Sequence, residues 1–360
     1  MASVAVTLLG RDRAAFLPDV VWRSDGGEYA RIDRHTDHAA WRDAADADCP
    51  LVTQWDDGAD ENSAGKPTCS LSLPTAVRRM LDACDIRPGQ RVLEVGTGCG
   101  YTAALLKDRV GPEGSVTSVE VDPVLAAAAR ERLDAAGVAV DVVRGDGLKG
   151  WETSAPYDRV HVTCGIRRLP SAWLRQCPDG VLVLPWGSSH EGRDNRLVTL
   201  TVSDGVAVGP IGASLWFMEA RSQRPVPWGE WPDTGAVTKA ELPVSWREID
   251  AAVTDADRFV LGLLLPGTRL WASGHTDDED GRVAWLERAG EYASVGFGWS
   301  VPTTVAGDGR LAEDFARAVR WWHDHDRPPA DGFGLRVTPD GEFACEEVWF
   351  GSPDAPVRLR

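Results

Sequence analysis

The 360-residue sequence predicts a doubly wound α/β fold, and two observations support this prediction. From residue 67 to about residue 220, short β-branched runs alternate with helical segments. Such alternation is typical of a parallel sheet with helices on both faces. A turn with glycines at alternate positions, residues 96–100, follows the first of these runs directly. A glycine-rich turn between a strand and a helix is a common ligand-binding feature of this fold class.

Each element of this core is predicted by its own run of residues. Five runs predict the parallel strands, in chain order RVLEV (91–95), SVTSVEV (115–121), VAVDVV (138–143), DRVHVTC (158–164) and GVLVLPW (180–186). The segments between them have helical composition or spacing, namely YTAALLKDR, DPVLAAAARERLDAAG and LPSAWLRQC. Two later runs predict closing strands near a sheet edge, RLVTLTV (196–202) and SLWFMEA (214–220).

Two zones of different composition flank this core. The first is a polar, irregular N-terminal arm that ends in DDGADENSAGKP, and the proline- and tryptophan-rich connector RPVPWGEWPDTG (224–235) introduces the second. The second zone contains an amphipathic helix, with an apolar stripe at positions 311, 315, 319 and 322, and a terminal hairpin with Asp340-Gly341 at its turn. We therefore divide the chain into an arm (1–66), a core domain (67–222) and an α+β C-terminal extension (223–360).

Composition excludes several classes of protein. The formal net charge of -17 argues against binding to nucleic acid or an anionic membrane, since either would require a basic surface. No apolar stretch approaches the ~20 residues needed to span a bilayer, and the N-terminus does not resemble a signal peptide. The seven cysteines include no C-x-x-C pair. We expect a cytoplasmic monomer with reduced cysteines and no metal site.

The segment VLEVGTGCGYTAALL (92–106) carries the strongest functional signal. Its G-x-G-x-G spacing, with Glu94 two positions earlier, suits a ligand with a cationic amino-acid end better than a diphosphate. The second strand ends in Glu120, whose carboxylate can accept hydrogen bonds from both hydroxyls of a ribose, and the third is followed by Asp146, which can accept from an adenine amino group. The alternative is a structural turn with two unrelated surface acids.

These residues resemble the class I S-adenosylmethionine-dependent methyltransferases. The sequence from about 67 to 220 is also similar to the protein-L-isoaspartate O-methyltransferase family, most specifically in SLSLP, in GDG followed by APYDRV, and in LVLPWG. The resemblance implies a Rossmann-like class I methyltransferase core, S-adenosylmethionine as cofactor, S-adenosylhomocysteine as product and no metal. It assigns the cofactor contacts to Glu94, Gly96, Thr97, Gly98, Gly100, Tyr101, Glu120, Val121, Asp146 and Gly147.

The same resemblance assigns the acceptor side of the site to PTCSLSLPTAV (67–77). The family's active-site serine aligns with Ser72, and Ser70, Leu73 and Thr163 are candidate substrate contacts. An alternative for Ser72 is that it caps the helix that begins near Pro74.

The implied chemistry needs few catalytic side chains. The nucleophile would be a carboxylate, which is already ionised at neutral pH because its reference pKa is about 4. The protein has only to hold the carboxylate oxygen in line with the methyl group and exclude water. A hydroxyl such as that of Ser72 can orient the acceptor. The absence of a convincing Ser–His–Asp arrangement therefore does not argue against an enzyme.

Two other histidine-containing features suggest structural roles. WWHDHDR (321–327) could hold a metal, but it lacks a third group of ligands, so we interpret it as a solvated helix end. His161 alternates into a central strand, and we interpret it as a core residue or as one that lies just behind the residues of the site.

The chain departs from a typical repair methyltransferase in its N-terminal arm and in about 140 residues after the core. In this it looks like family members found with actinobacterial peptide biosynthesis. Those enzymes methylate a defined aspartate of a ribosomally synthesised, often cyclised precursor peptide, which leads to a succinimide (aspartimide) or isoaspartate. The acidity of the chain would suit a basic precursor. Two alternatives stay open: a general protein-L-isoaspartate repair methyltransferase, and a non-catalytic peptide-binding scaffold.

Replacement of Ser72 tests its assignment. We expect Ser72→Ala to keep the fold and cofactor binding but to lower turnover, because the hydroxyl would orient the acceptor rather than hold the cofactor. Calorimetric cofactor binding and a methyl-transfer assay measure the two properties separately. Unchanged turnover would make Ser72 a structural residue.

Overall fold

The computed structural model describes residues 10–25, 27–59, 65–187, 195–225, 238–239, 241–254, 259–272, 281–299 and 302–359, so most of the predicted connector (224–235) lies outside the described residues. The strands are β1 (Val20–Asp25), β2 (Glu28–Asp33), β3 (Leu51–Trp55), β4 (Pro67–Leu71), β5 (Arg91–Val95), β6 (Ser115–Glu120), β7 (Asp141–Arg144), β8 (Arg159–Val162), β9 (Val181–Trp186), β10 (Asn195–Ser203), β11 (Val206–Leu215), β12 (Thr238–Lys239), β13 (Arg269–Ala272), β14 (Gly281–Arg288), β15 (Glu291–Gly298), β16 (Thr304–Gly307), β17 (Phe333–Thr338) and β18 (Cys345–Phe350). The α-helices are α1 (His38–Asp46), α2 (Pro74–Cys84), α3 (Tyr101–Val110), α4 (Pro123–Ala135), α5 (Ser171–Gln176), α6 (Trp246–Thr254), α7 (Phe259–Leu264) and α8 (Gly309–Asp324).

The central sheet confirms the predicted α/β core. Its order is β18-β17-β11-β10-β9-β8-β5-β6-β7, and the five strands from β9 to β7 are parallel. These five are the strands that the β-branched runs predict. The strand order reverses between β5 and β8, so the carboxyl ends of these two strands open the crevice in which doubly wound sheets bind ligands. The glycine-rich turn follows β5 at this point.

The antiparallel edge of the sheet differs from the prediction. The second closing strand, β11, begins at Val206 rather than Ser214, because Asp204 and Gly205 both have positive φ and form a tight hairpin turn after β10. SLWFMEA therefore lies mostly beyond the strand. The terminal hairpin of β17 and β18 forms as predicted, but it pairs with β11 and extends the central sheet. On β18, Glu346 accepts hydrogen bonds from the backbone N–H of Leu169 and from Trp186 Nε1.

Both predicted domain boundaries are crossed by hydrogen-bonded sheets. β4 belongs to a four-stranded antiparallel sheet with order β2-β1-β3-β4, so the arm and the start of the core share one sheet. The extension contributes two strands to the central sheet and also forms its own antiparallel sheet, with order β12-β16-β15-β14-β13. The predicted apolar stripe of α8 is buried, at Leu311, Phe315, Val319 and Trp322. Among the described residues, no helix is both long and apolar enough to cross a membrane.

One buried cation fastens the arm to the core. Arg13 is fully buried, and its guanidinium donates hydrogen bonds to five backbone carbonyls, those of Ala45, Ala47, Cys49, Leu71 and Ser72. The first two carbonyls lie at the C-terminal end of α1, where a cation also meets the negative end of the helix dipole. The last two belong to the segment between β4 and α2. Arg13 therefore sets the position of the Ser72 backbone.

Replacement of Arg13 by methionine tests this dependence. The variant keeps most of the side-chain volume but leaves buried carbonyls without donors, so we expect the free energy of unfolding to fall by about 3 kcal/mol or more, as measured by urea denaturation. As a control, Arg31→Met breaks a surface ion pair to Asp33 and should cost less than about 1 kcal/mol. Equal losses in the two variants would contradict the proposed role of Arg13.

Candidate functional site

A cavity of about 660 Å³ lies at the carboxyl ends of the parallel strands. Its walls come from the glycine-rich turn, the β4–α2 segment, the N-terminal sheet and the chain that follows β11. Most of the residues assigned from the sequence line it, and these are Ser70, Ser72, Leu73, Gly96, Thr97, Gly98, Tyr101, Glu120, Val121, Asp146, Gly147 and Thr163. The structure thus brings the expected cofactor residues and the expected acceptor residues to one cavity.

Two glycines make the floor of the cavity accessible to a ligand. Gly96 has a φ of +95°, and a Cβ there would lie 2.6 Å from Thr163 Oγ1. A Cβ at Gly147 would lie 2.5 Å from Val95 Cγ1. Neither position can hold a side chain without displacing its neighbours, so the backbone itself forms this surface.

Two of the predicted cofactor residues lie elsewhere. Glu94 is fully buried beneath the turn and does not line the cavity; its carboxylate accepts a hydrogen bond from Ser118 Oγ, which is 2.6 Å from Thr97 Oγ1. Gly100 also lies off the cavity, where its positive φ forms the N-cap of α3. Glu94 supports the turn from below because the pleat of β5 directs alternate side chains to opposite faces of the sheet.

Burial makes Glu94 an unusual acid. One carboxylate oxygen, Oε1, has no hydrogen-bond partner among the residues that the structure describes. Desolvation raises the pKa of Glu94 to about 8, although the hydrogen bond from Ser118 opposes this shift. The side chain is therefore mostly protonated at neutral pH in the cofactor-free protein.

Glu120 joins the end of β6 to the glycine-rich turn. Its two oxygens accept hydrogen bonds from the backbone N–H groups of Gly98, at 2.9 Å, and Asp122, at 3.0 Å. Burial raises the pKa of Glu120, against the effect of these two amides. The carboxylate is thus already oriented at the cavity before any ligand binds.

A charged network closes the rim of the cavity, and the sequence analysis missed it. Asp122 Oδ2 accepts hydrogen bonds from Gln54 Nε2, at 3.0 Å, and from Arg221, at 2.6 Å. Arg221 also pairs with Asp57, which in turn binds Arg224. Burial alone would raise the pKa of Asp122, but these hydrogen bonds and two helix-capping amides outweigh it and lower the pKa to about 2. The partners come from three distant parts of the chain, so no local pattern could have revealed them.

Ser72 lies between β4 and α2, where its backbone is held on both sides. Its carbonyl accepts from Arg13, at 3.0 Å, and the first turn of α2 is capped from the arm, because Asp48 accepts from the Thr75 N–H and hydroxyl. The N-cap of α2 is Leu73, without a side-chain capping bond, so the structure does not support the capping alternative for Ser72. The Ser72 hydroxyl makes no hydrogen bond within the described residues and lines the cavity.

Thr163 lines the cavity as expected, but its hydroxyl is already engaged in hydrogen bonds to the backbone. Its hydroxyl donates to the backbone carbonyls of Val95 and Gly96, so the side chain also holds the glycine-rich turn. His161, by contrast, is buried in the core and does not line the cavity.

Several lining residues were not anticipated from the sequence. Tyr29 comes from β2, Trp216 and Met218 come from the chain after β11, and Arg79 comes from α2. Trp216 is about half exposed, with 51% of its surface accessible. A large exposed aromatic is a recognisable sign of a binding surface only once its position beside a cavity is known.

The described residues contain no group of three His, Cys, Asp or Glu side chains that could hold a metal ion. At WWHDHDR, His325 stacks on Trp321, with ring centroids 3.9 Å apart, and its Nδ1 contacts the Trp321 carbonyl. These contacts agree with a helix end.

Comparison with known proteins supports the fold described above and identifies its family. The architecture is a Rossmann-like class I methyltransferase fold: a solved structure named protein-L-isoaspartate O-methyltransferase aligns over 96% of this chain and 95% of its own length, with a TM-score of 0.53 and 18% identity. The family model described as protein-L-isoaspartate(D-aspartate) O-methyltransferase (PCMT) matches residues 44–206.

Curated relatives extend the comparison at the level of sequence. A protein-L-isoaspartate O-methyltransferase of Ignicoccus hospitalis is 48% identical over 118 residues, 32% of this chain and 56% of the relative. One of Methanothermobacter thermautotrophicus is 35% identical over 158 residues, 41% of this chain and 73% of the relative. This chain belongs to the protein-L-isoaspartate O-methyltransferase family, although its match spans little more than half the length of the Ignicoccus protein.

The raised pKa of Glu94 predicts a specific pH dependence. Between the unfolded value of 4.5 and about 8 the folded protein binds more protons than the unfolded chain, so stability falls as pH rises through this window. Glu94→Gln removes this titration while its amide oxygen still accepts from Ser118. We expect melting temperatures of the cofactor-free variant and wild type to diverge from pH 5 to pH 9, in favour of the variant.

The control for this experiment is Glu113→Gln, which changes an exposed glutamate. Its melting curve should stay parallel to that of wild type at every pH. A Glu94→Gln curve that also runs parallel to wild type would contradict the protonated, buried state of Glu94.

Proposed function

We propose that this protein is an S-adenosylmethionine-dependent carboxyl O-methyltransferase. In this proposal it esterifies an aspartate side chain of a ribosomally synthesised precursor peptide. The backbone nitrogen of the next residue then attacks the ester and expels methanol, which gives a succinimide (aspartimide), and water can open this ring to isoaspartate. The observation that carries the proposal is the single cavity in which a glycine floor and two strand-end acids meet the unbonded hydroxyl of Ser72. The matching family is named for the same type of reaction, methyl transfer to a carboxyl oxygen.

The residues of the cavity fit S-adenosylmethionine. The carboxylates of Glu120 and Asp146 can accept from the ribose hydroxyls and the adenine amino group, and Gly96 and Gly147 leave room for the ligand against the backbone. Tyr101 lines the same cavity, and its buried hydroxyl has no hydrogen-bond partner in the described part of the chain. When bound, this cofactor supplies an electrophilic methyl group on a cationic sulfur.

The chain's own contribution is to position the acceptor and exclude water. Ser72 can donate a hydrogen bond to the acceptor carboxylate or to the neighbouring amide, while Arg13 keeps its backbone in place. Attack by an ionised carboxylate needs no general base. The Asp122–Arg221–Asp57 network connects three parts of the chain and holds Arg221 at the edge of the cavity.

The choice between a dedicated enzyme and a repair enzyme depends on the side of the cavity that we assign to the peptide. We call this side the acceptor wall; it consists of the β4–α2 segment, α2 and the residues named next. Tyr29, Trp216 and Met218 add aromatic and apolar surface from outside the parallel strands, which suits recognition of one peptide. The C-terminal extension does not distinguish the two functions, because the solved structure named as an isoaspartate methyltransferase aligns along nearly the whole chain. General repair is therefore the second candidate, supported by the names and identities of the curated relatives.

The test supplies isotopically labelled S-adenosylmethionine together with three kinds of peptide: an isoaspartyl peptide, its aspartyl counterpart, and any small precursor peptide that a search of the neighbouring genes identifies. We expect methyl ester, followed by succinimide, on the precursor peptide and little label on the other two. Mass spectrometry locates the modified residue.

Robust methylation of the isoaspartyl peptide with none on the precursor would instead support general repair. Calorimetry with S-adenosylmethionine completes the test, since binding without transfer to any peptide would favour the non-catalytic scaffold. Ser72→Ala serves as the control for label that does not depend on the proposed site.

A further inference from the structure

Three of the charged side chains that line the cavity form ion pairs within the protein. The charged lining residues are Arg79, Glu120, Asp146, Glu219, Arg221 and Arg224. Glu219 pairs with Arg167, Arg221 pairs with both Asp57 and Asp122, and Arg224 pairs with Asp57. These pairs leave little net charge on that part of the wall.

The two remaining acids lie at the strand ends. Glu120 accepts from two backbone amides, and Asp146 accepts from the N–H of Leu148. Neither has a cationic partner among the described residues, which suits the positively charged cofactor proposed above. The acidic part of the cavity is therefore accounted for by the cofactor.

Arg79 is the exception on the acceptor side. It lies on α2, is exposed, lines the cavity, and has no hydrogen bond or ion pair within the part of the chain that the structure describes. Its neighbour Arg78 is equally exposed but does not line the cavity. The acceptor wall thus presents one unpaired guanidinium, a group that prefers carboxylate partners.

Arg79 lies further along α2 than Ser72, the residue that we propose to orient the reacting carboxylate. It is five residues after Pro74, the first residue of α2, which corresponds to about 7.5 Å along the helix axis. An extended peptide spans about 3.4 Å per residue, so this offset corresponds to roughly two residues. A guanidinium bound to the acceptor itself would also make that carboxylate a weaker nucleophile.

We propose that Arg79 is a specificity-determining residue that pairs with a second carboxylate of the peptide substrate, about two residues from the methylated aspartate. This inference rests on the proposed function and adds the substrate class: an acidic peptide segment. It differs from the basic precursor that the overall acidity of the chain suggested, because the charge that the substrate meets is local to the cavity.

The experiment uses a pool of synthetic variants of the peptide that wild type methylates in the preceding test, with fixed length and with variation at the three positions on each side of the target. Methylated members are identified by mass spectrometry after reaction with labelled S-adenosylmethionine. Wild type should enrich Asp or Glu at one flanking position, Arg79→Gln should lose this enrichment, and Arg79→Glu should favour Lys or Arg there. Arg78→Gln is the matched control and should keep the wild-type profile.

Kinetics on one acid-flanked peptide and its Asn-flanked analogue complete the test. Arg79→Gln should raise KM several-fold for the first peptide only, with kcat nearly unchanged. An equal rise for both peptides, or a profile like that of Arg78→Gln, would overturn the assignment while leaving the proposed function intact. Methylation of no peptide in the pool by wild type would overturn the proposed function, and this inference with it.

Discussion

The position of the β4–α2 segment, which carries Ser72, depends on one buried guanidinium. Arg13 joins the end of α1 to the β4–α2 segment through backbone carbonyls alone, so its effect does not depend on the side chains at those positions. Buried carbonyls without donors are costly, and here one side chain satisfies several of them. The hydroxyl of Ser72 can therefore stay unbonded, since its backbone is held by other groups.

Buried hydrogen bonds also hold the floor of the cavity in place. Glu94, Ser118 and Thr97 form a buried polar chain beneath the glycine-rich turn, while Glu120 holds the turn from the side through the Gly98 amide. The two acids occupy different environments, and burial raises the pKa of both. The acid that faces the ligand is oriented by backbone amides, and the acid that supports the turn stays mostly neutral.

The arm and the core together form the walls of the cavity, and the extension is joined to the core through the central sheet. The arm supplies Asp48, Gln54 and Asp57, which respectively cap α2, bind Asp122 and bind Arg221. The extension continues the central sheet through β17 and β18. A sheet shared between zones fixes their relative position more rigidly than a linker, so the arm belongs to the architecture of the site even though most of the residues assigned to the cofactor lie in the core.

The sequence by itself determined the parallel core, its glycine-rich turn and most of the residues around the cavity, because strand periodicity and strand-end residues are local patterns whose meeting point follows from parallel topology. It could not separate Glu94 and Gly100 from their neighbours, since this depends on which way the Glu94 side chain points and on where the backbone turns at Gly100. It also missed the Asp122 network, the fastening role of Arg13 and the unpaired state of Arg79. Those features were decided only by the tertiary structure, because a hydrogen bond or an ion pair between distant segments exists only after folding has brought its two partners together.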